Sequence, residues 1–313
     1  MTAFPAIIKE IGRGAKGARP LAGEQAEWLF GEILDGRVPD LELGAILLSL
    51  RVKGEGADEL AGFQRALAAR TAQVQVPDGP ACVVLPTYNG ARKQPNLMPL
   101  VAHLLARRGV PVLIQGRHDF DSRVSPFQLL AALDIQPAAD LQTAAVELAA
   151  RRLSCLRLET LCPGLDRLLA LRLRLGVRNS GHTLAKLLDP CRGRSVRVVA
   201  VTHPEYLERM SEQLAHEHAC ALLMRGTEGE AYAHPRRRPR LLGFIGGAPR
   251  ELYPQEDGHP SREPAEACEV PANAALIRDM LEGRLAIPQP IVDQVEALSH
   301  LAGAGRPVTM HAG

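Results

Sequence analysis

Two short apolar runs, residues 81–85 (ACVVL) and 110–114 (VPVLI), lie on either side of a segment of helix length, residues 96–108, and this spacing constrains the fold more than any other feature. An apolar run this short, bounded by turn residues, reads as a buried strand. Two such strands joined by one helix form a right-handed crossover, which makes them parallel neighbours in one sheet. Residues 195–202 (SVRVVAVT) and 219–224 (ACALLM) repeat the pattern, with a helix opening at His203 between them. The expected fold class is therefore α/β, with a mainly parallel central sheet.

The chain before Pro77 has a different texture. Apolar residues recur at helical spacing over 23–35 (Ala26, Leu29, Phe30, Ile33) and over 40–51 (Leu43, Ile46, Leu47, Leu50), and again over 57–69 after the break at Gly54-Glu55-Gly56. The spacing predicts a small helical domain over residues 1–76. A second helical stretch, rich in leucine and arginine, covers 161–188. Beyond Gly226 the chain turns irregular: 234–239 is a proline-bracketed arginine run, and 246–271 reads as loops and edge strands. Helices over 272–282 and 291–301 close the sequence, before a frayed Gly/Ala tail.

Net charge is +2, from 37 basic and 35 acidic residues, and that sum alone suggests no nucleic-acid partner. Its distribution says more. Residues 151–200 hold 11 basic and 3 acidic side chains, whereas 201–313 hold 11 and 16. Such a concentration of positive charge can present one basic face. The basic residues are 32 arginines and 5 lysines, which suits bidentate phosphate contacts and equally follows from a coding bias.

The first ten residues carry one lysine and no continuous apolar stretch, so no secretory leader is expected there, and no run is long enough to span a membrane. Six scattered cysteines without a CxxC pair argue against a disulfide framework and a zinc site. The cytoplasm is the expected compartment, with free thiols.

The segment LGVRNSGHTLAKLLDP (175–190) resembles the LGxRTxFNLLGPLxNP stretch of the anthranilate phosphoribosyltransferase family, also called glycosyltransferase family 3. Leu175, Gly176, Arg178, Leu187, Leu188 and Pro190 keep its frame, and VTHPEYLERM (201–210) matches the strand-to-helix turn downstream. The resemblance implies a helical domain (1–76) completed by about 161–190, an α/β domain (77–160 and 191–313) of the phosphoribosyltransferase class, nucleoside phosphorylase type, and a homodimer joined through the helical domains.

Three family signatures are degraded. A glycine-rich GTGGDG turn, whose amides hold pyrophosphate, is replaced after the first strand by Pro86-Thr87-Tyr88-Asn89-Gly90. Proline has no N–H and tyrosine brings a ring, so the cradle is expected to be lost. KHGNR is replaced by Gln115-Gly116-Arg117-His118, which keeps one glycine. The adjacent Asp-Glu pair that holds Mg²⁺ is replaced by Glu228 and Glu230 with Gly229 between them. No catalytic residue, metal or cofactor is assigned. Tyr88 is open to two readings, stacking on a base or packing, and Arg92 and Lys93 are expected at the start of the next helix, where they favour phosphate.

In the middle stretch, about 100° per residue puts Arg174 at about −20° and Arg178 at about +20° from Arg167, one stripe if the helix runs through Gly176. Arg172 points elsewhere and, in the family frame, marks a remnant of the substrate pocket. Lys186, Arg192, Arg194 and Arg197 extend the positive run, acidic partners are few, and Arg13, Lys16 and Arg19 form a flexible basic loop nearby. Set beside the YNGARK turn, this resembles the YbiB-type branch of the family, which implies a catalytically silent dimer that binds DNA without marked sequence preference. RNA fits the same chemistry. The competing readings are a remodelled phosphoribosyl or glycosyl transferase, using Glu228 or Glu230 for Mg²⁺ and Arg172 for an anionic acceptor, and a protein scaffold using Arg236, Arg237 and Arg238.

Overall fold

Phe4, Ile7 and Ile11 fall on one side of helix α1 (Phe4–Ile11), and the same periodicity builds α2 (Gly23–Leu34), α3 (Asp40–Lys53) and α4 (Ala57–Ala69). The computed structural model describes residues 4–14, 16–118, 122–203, 205–258 and 266–304. After α4 the chain enters β1 (Cys82–Thr87), α5 (Met98–Arg107), β2 (Val112–Gly116), α6 (Pro126–Ala132), α7 (Leu141–Arg151) and β3 (Leu153–Arg157). It returns to helix in α8 (Leu158–Leu161), α9 (Pro163–Ala170), α10 (Arg172–Leu175) and α11 (Gly181–Leu184). The rest is β4 (Ser195–Val201), α12 (Glu205–His216), β5 (Ala221–Arg225), β6 (Leu241–Ile245), β7 (Ala248–Tyr253), α13 (Val270–Leu281) and α14 (Gln289–Leu301).

Packing divides the chain into a helical unit, Met1–Ala72 with Leu158–Leu188, and an α/β unit, Gln73–Arg157 with Asp189–Gly313. The helical core sets Phe30 on Phe63, ring centroids 4.9 Å apart, among Leu29, Leu47, Leu50 and Leu67. Each such side chain contributes roughly 1.5–3 kcal/mol by leaving water. The buried Glu59 carboxylate ties three segments together. It accepts the Leu21 amide at 2.8 Å and the Gly56 amide at 2.7 Å, and pairs with Lys53 at 2.5 Å.

In the α/β unit seven strands form one sheet in the order β3-β2-β1-β4-β5-β6-β7. Strands β3 to β5 run parallel, and β6 and β7 add an antiparallel hairpin at one edge. The four apolar runs read from the sequence are β1, β2, β4 and β5, and β3 is a fifth parallel strand that the reading did not include. Strand β2 starts two residues later than its apolar run, because the Val110 amide is spent on the Leu105 carbonyl at the end of α5 and Pro111 has no N–H to give a ladder. Connections leave β1 toward β2 on one side, whereas β4 lies on the other, so strand order reverses between β1 and β4. In open α/β sheets the crevice at the carboxyl ends of the strands beside such a reversal is the usual ligand position. The turns that follow β1, β2 and β5 meet there.

The helical stretch expected over 161–188 is broken. Gly176 takes φ +70 and gives its amide to the Arg172 carbonyl, which ends α10, and 176–180 is not helical. The Gly/Ala tail beyond residue 304 lies outside the described residues. Among the described residues no helix is long and apolar enough to cross a membrane.

Candidate functional site

The turn after β1 presents its backbone N–H groups to two carboxylates of the turn after β5. Glu230 Oε1 accepts from the amides of Tyr88 (3.3 Å), Asn89 (3.0 Å) and Gly90 (3.1 Å), and its Oε2 accepts from the Thr87 hydroxyl at 2.6 Å. Glu228 Oε1 accepts from Arg92 (3.1 Å), Lys93 (2.7 Å) and Gln94 (3.1 Å). Between the two sets the Ala91 amide turns away to the Val124 carbonyl. The cradle expected to be lost is thus present in its amides. Pro86 lies within β1, upstream of the donors, and Tyr88 contributes its backbone while its ring turns inward.

That burial decides the open question about Tyr88. Its side chain is 9% exposed and its hydroxyl donates to Gln115 Oε1 at 2.5 Å, so it packs and offers no base-stacking face. Arg92 and Lys93 are exposed, but they sit in the loop ahead of α5 and not on its first turn. Gly116 pairs with Thr87 across the β1–β2 ladder, and the Arg117 amide donates to the Thr87 carbonyl. His118 Nε2 lies 3.2 Å from the Arg123 carbonyl.

The acidic turn is anchored from behind. Thr227 bonds the Tyr232 carbonyl through both its amide and its hydroxyl, at 3.1 Å each, and the Tyr232 hydroxyl donates to the Pro95 carbonyl at 2.9 Å. Burial, followed by the Glu230 and Glu228 carboxylates, pushes the Tyr232 phenol well above its ordinary range, so it stays a neutral donor. Arg123, which the sequence reading missed, donates to the Gly90 carbonyl at 3.1 Å and lies 3.6 Å from Glu228. Thr87 was missed as well. Neither carries a motif; only the folded turn brings them to the carboxylates.

The family frame implies Mg²⁺ on these two glutamates, and the residues do not fit it. All four carboxylate oxygens face N–H or O–H donors. Such an environment favours an anion, whereas a Mg²⁺ site gathers oxygen ligands. Among the described residues no group of three His, Cys, Asp or Glu is placed to hold a metal.

The arginines of the helical unit do not form the single stripe expected, because the helix breaks at Leu171 and ends at Gly176. Arg167 is exposed on α9 and donates to the Leu34 carbonyl at 3.0 Å. Arg174 is 71% exposed and lies 3.5 Å from Asp40, which is 83% exposed. Arg172, Arg178 and Lys186 are half-buried. Arg13, Lys16 and Arg19 are exposed, and their loop is tied by hydrogen bonds from Arg19 to Glu10 and from Ala18 to Gly14. Arg192, Arg194 and Arg197 belong to the α/β unit, so the dense basic segment is split. Arg197 is buried against Glu217 at 2.8 Å, and Arg194 is held by the Gly79 carbonyl at 2.8 Å. In the arginine run, Arg238 pairs with Asp293 and Glu256.

Residues 5–71 match the glycosyl transferase family helical bundle domain. The chain is 39% identical to YbiB of Escherichia coli (strain K12) over 98% of its length and 96% of that protein's. It is 28% identical to the anthranilate phosphoribosyltransferase of Methylobacterium nodulans, over 90% of this chain and 84% of the relative. Among solved structures, the anthranilate phosphoribosyltransferase of Thermus thermophilus superposes with a TM-score of 0.76 at 26% identity, covering 97% of this chain and 90% of that one. The Saccharomyces cerevisiae enzyme in complex with PRPP and Mg superposes at 0.73 with 15% identity, covering 97% and 89%, a likeness of fold.

Proposed function

The chain belongs to the anthranilate phosphoribosyltransferase-like family, on the side of YbiB, and we propose that on this fold it binds nucleic acid through the sugar-phosphate backbone, without sequence preference, as a homodimer. The observation that carries the reading is a set of uncompensated cations on the helical unit. Among the described residues Arg13, Lys16, Arg19, Arg51 and Arg167 are exposed and have no acidic partner, and Arg174 has only the distant, solvated Asp40. Exposed cations of this kind gain by releasing the counterions of a phosphate backbone.

The homodimer has its own support. Helix α3 is apolar on more than its core side: Leu41, Leu48 and Val52 are 83%, 55% and 68% exposed and follow one another at helical spacing with Ala45. A helix apolar all round is normally covered on both faces. A second copy of α3 covers this stripe, and the twofold axis then repeats the cations at the two ends of α3, Arg174 beside Asp40 and Arg51 beside Val52, along a shared surface.

The test is the salt dependence of oligonucleotide binding. Affinity should fall log-linearly with salt, by about 0.7 in slope per phosphate contacted on single strands and about 0.9 on duplex. Arg19→Glu with Arg174→Glu should weaken every sequence alike and shallow the slope by about 1–2. Binding that ignores salt, or a double variant that binds as the parent does, refutes the proposal.

A further inference from the structure

The ends of α2 and α4 and the start of α9 meet around a cavity of about 530 Å³ within the helical unit, edged by Arg37, Arg70, Arg167 and Asp35. We infer that this cavity seats one unstacked nucleotide, its phosphate on Arg167 and its base on the flat guanidinium of Arg70, so that single-stranded nucleic acid is the preferred ligand. The inference rests on the nucleic-acid reading above and narrows it to one class of strand.

Charge sets what the cavity takes. Arg37 is answered by Glu32 at 2.9 Å and by Asp35 at 2.7 Å. Arg70 makes a two-point fork on Asp35, at 2.6 Å from Nε and 2.7 Å from Nη2. Hydrogen bonding from Arg70, more than any other influence, holds the Asp35 carboxyl below its ordinary range, so it stays ionised between the two guanidinium groups. Arg167 differs. It gives one N–H to the Leu34 carbonyl at 3.0 Å, and its other donors have no partner among the described residues. One uncompensated cation suits one phosphate. The volume lies in the range of about 300–1,000 Å³ that small-molecule sites occupy, so a phosphate leaves most of the cavity to an uncharged group.

Shape sets what that group is. A Cβ on Gly31 would lie 2.8 Å from Nη2, 3.1 Å from Cζ and 3.2 Å from Nη1 of Arg70. The guanidinium therefore lies across the bare backbone of α2, and its opposite face borders the cavity. Glycine weakens a helix interior, and here the missing side chain is the room the plane occupies. Asp35 holds the edge of the plane, so it cannot turn away. Guanidinium planes of this kind stack on unpaired bases. The rest of the wall is fixed as closely: a Cβ on Gly164 would lie 2.1 Å from the Leu34 carbonyl oxygen, so α9 sits directly against the end of α2.

A base within a duplex does not reach such a plane. It is already stacked and paired, and drawing it out costs free energy, whereas a single strand presents its bases open. Stacking without hydrogen-bond readout also tolerates any base, which fits binding without sequence preference.

Fluorescence anisotropy on the full-length protein at physiological salt tests the inference with three probes: a mixed-sequence single strand, the blunt duplex of that sequence, and the same duplex with one bulged, unpaired nucleotide. The single strand should bind at least about tenfold more tightly than the blunt duplex, a difference of about 1.4 kcal/mol, and the bulge should recover most of that gap. Gly31→Ala changes no charge and displaces the Arg70 plane, so it should abolish the single-strand preference and leave duplex affinity as it was. Arg70→Lys keeps the charge, removes the plane without touching the interior of α2, and should do the same. Salt-dependent binding that is equal for single strand and duplex overturns the inference and leaves the nucleic-acid reading standing. A preference that survives both variants overturns it as well. Binding of none of the three probes removes the nucleic-acid reading, and this inference with it.

Discussion

Replacing Gly116 with alanine puts a methyl group 1.8 Å from the carbonyl oxygen of Thr87, where ordinary contact begins at 3.4 Å. About 1.6 Å of extra separation must be found between two strands in register, Thr87 opposite Gly116. The same carbonyl accepts the Arg117 amide at 3.1 Å, and the Thr87 hydroxyl holds Glu230, so neither strand can yield without breaking bonds. Gly116 also has φ +151, a region open essentially to glycine alone. That conformation costs about 1–3 kcal/mol for another residue. Overpacking adds about 1–3 kcal/mol. At about 2–4 °C per kcal/mol for a unit of this size, a midrange cost of about 4 kcal/mol lowers the melting temperature by roughly 8–16 °C. The control is Gly109→Ala: φ is +79 and a Cβ there meets no atom within 4 Å, so only the backbone penalty, about 1–2 kcal/mol, applies. Differential scanning calorimetry on both variants separates the two effects. If Gly116→Ala melts within about 2 °C of Gly109→Ala, less than the shift from about 1 kcal/mol, the close approach to Thr87 is not what fixes this glycine.

Two more outcomes follow from features away from the turn. Leu48→Glu places a charge on the exposed stripe of α3, which should shift sedimentation from dimer to monomer while leaving the circular dichroism unchanged; a dimer that persists would place the interface elsewhere. His103 is held below its ordinary 6.5 by burial, then by Arg107 and Arg151, and its Nε2 is buried without a partner. The unfolded chain therefore takes up the proton first as pH falls: stability is full above about 6.5 and declines as pH drops through the folded value. His103→Leu should flatten the dependence of melting temperature on pH between about 5 and 7, and an unchanged slope would show that His103 does not set it.

The parts of this fold that are legible in the sequence are those carried by period and run length. Helices α2 to α4 and strands β1, β2, β4 and β5 have apolar patterns that allow one reading. Strand β3 (LSCLR) escapes such a reading, because Ser154 and Arg157 interrupt a run that is nonetheless buried over four residues. Charge is the least legible property. Arg197 lies inside β4 with Glu217, and a count along the chain cannot tell it from Arg174, which is in water. The broken turn is half legible: its departure from a glycine-rich motif is plain, but a backbone N–H has no letter of its own. Tyr88, Asn89 and Arg92 donate through amides that any residue but proline supplies, so the convergence of donors on Glu230 and Glu228 cannot be read from the side chains.

The helical unit is assembled from two stretches of chain with residues 73–157 inserted between them, and this sets a timetable for synthesis. When α4 leaves the ribosome, the site on α2 that α9 will cover, beside the Leu34 carbonyl that Arg167 later bonds, has no partner yet. Roughly 85 residues must be translated first, a wait of about 4–17 s at about 5–20 residues per second. During that interval α1 to α4 expose apolar surface intended for Leu165, Leu168 and Leu169 as well as the outer stripe of α3. The order of the segments thus makes this exposed apolar surface a hazard for any truncation that ends before α9.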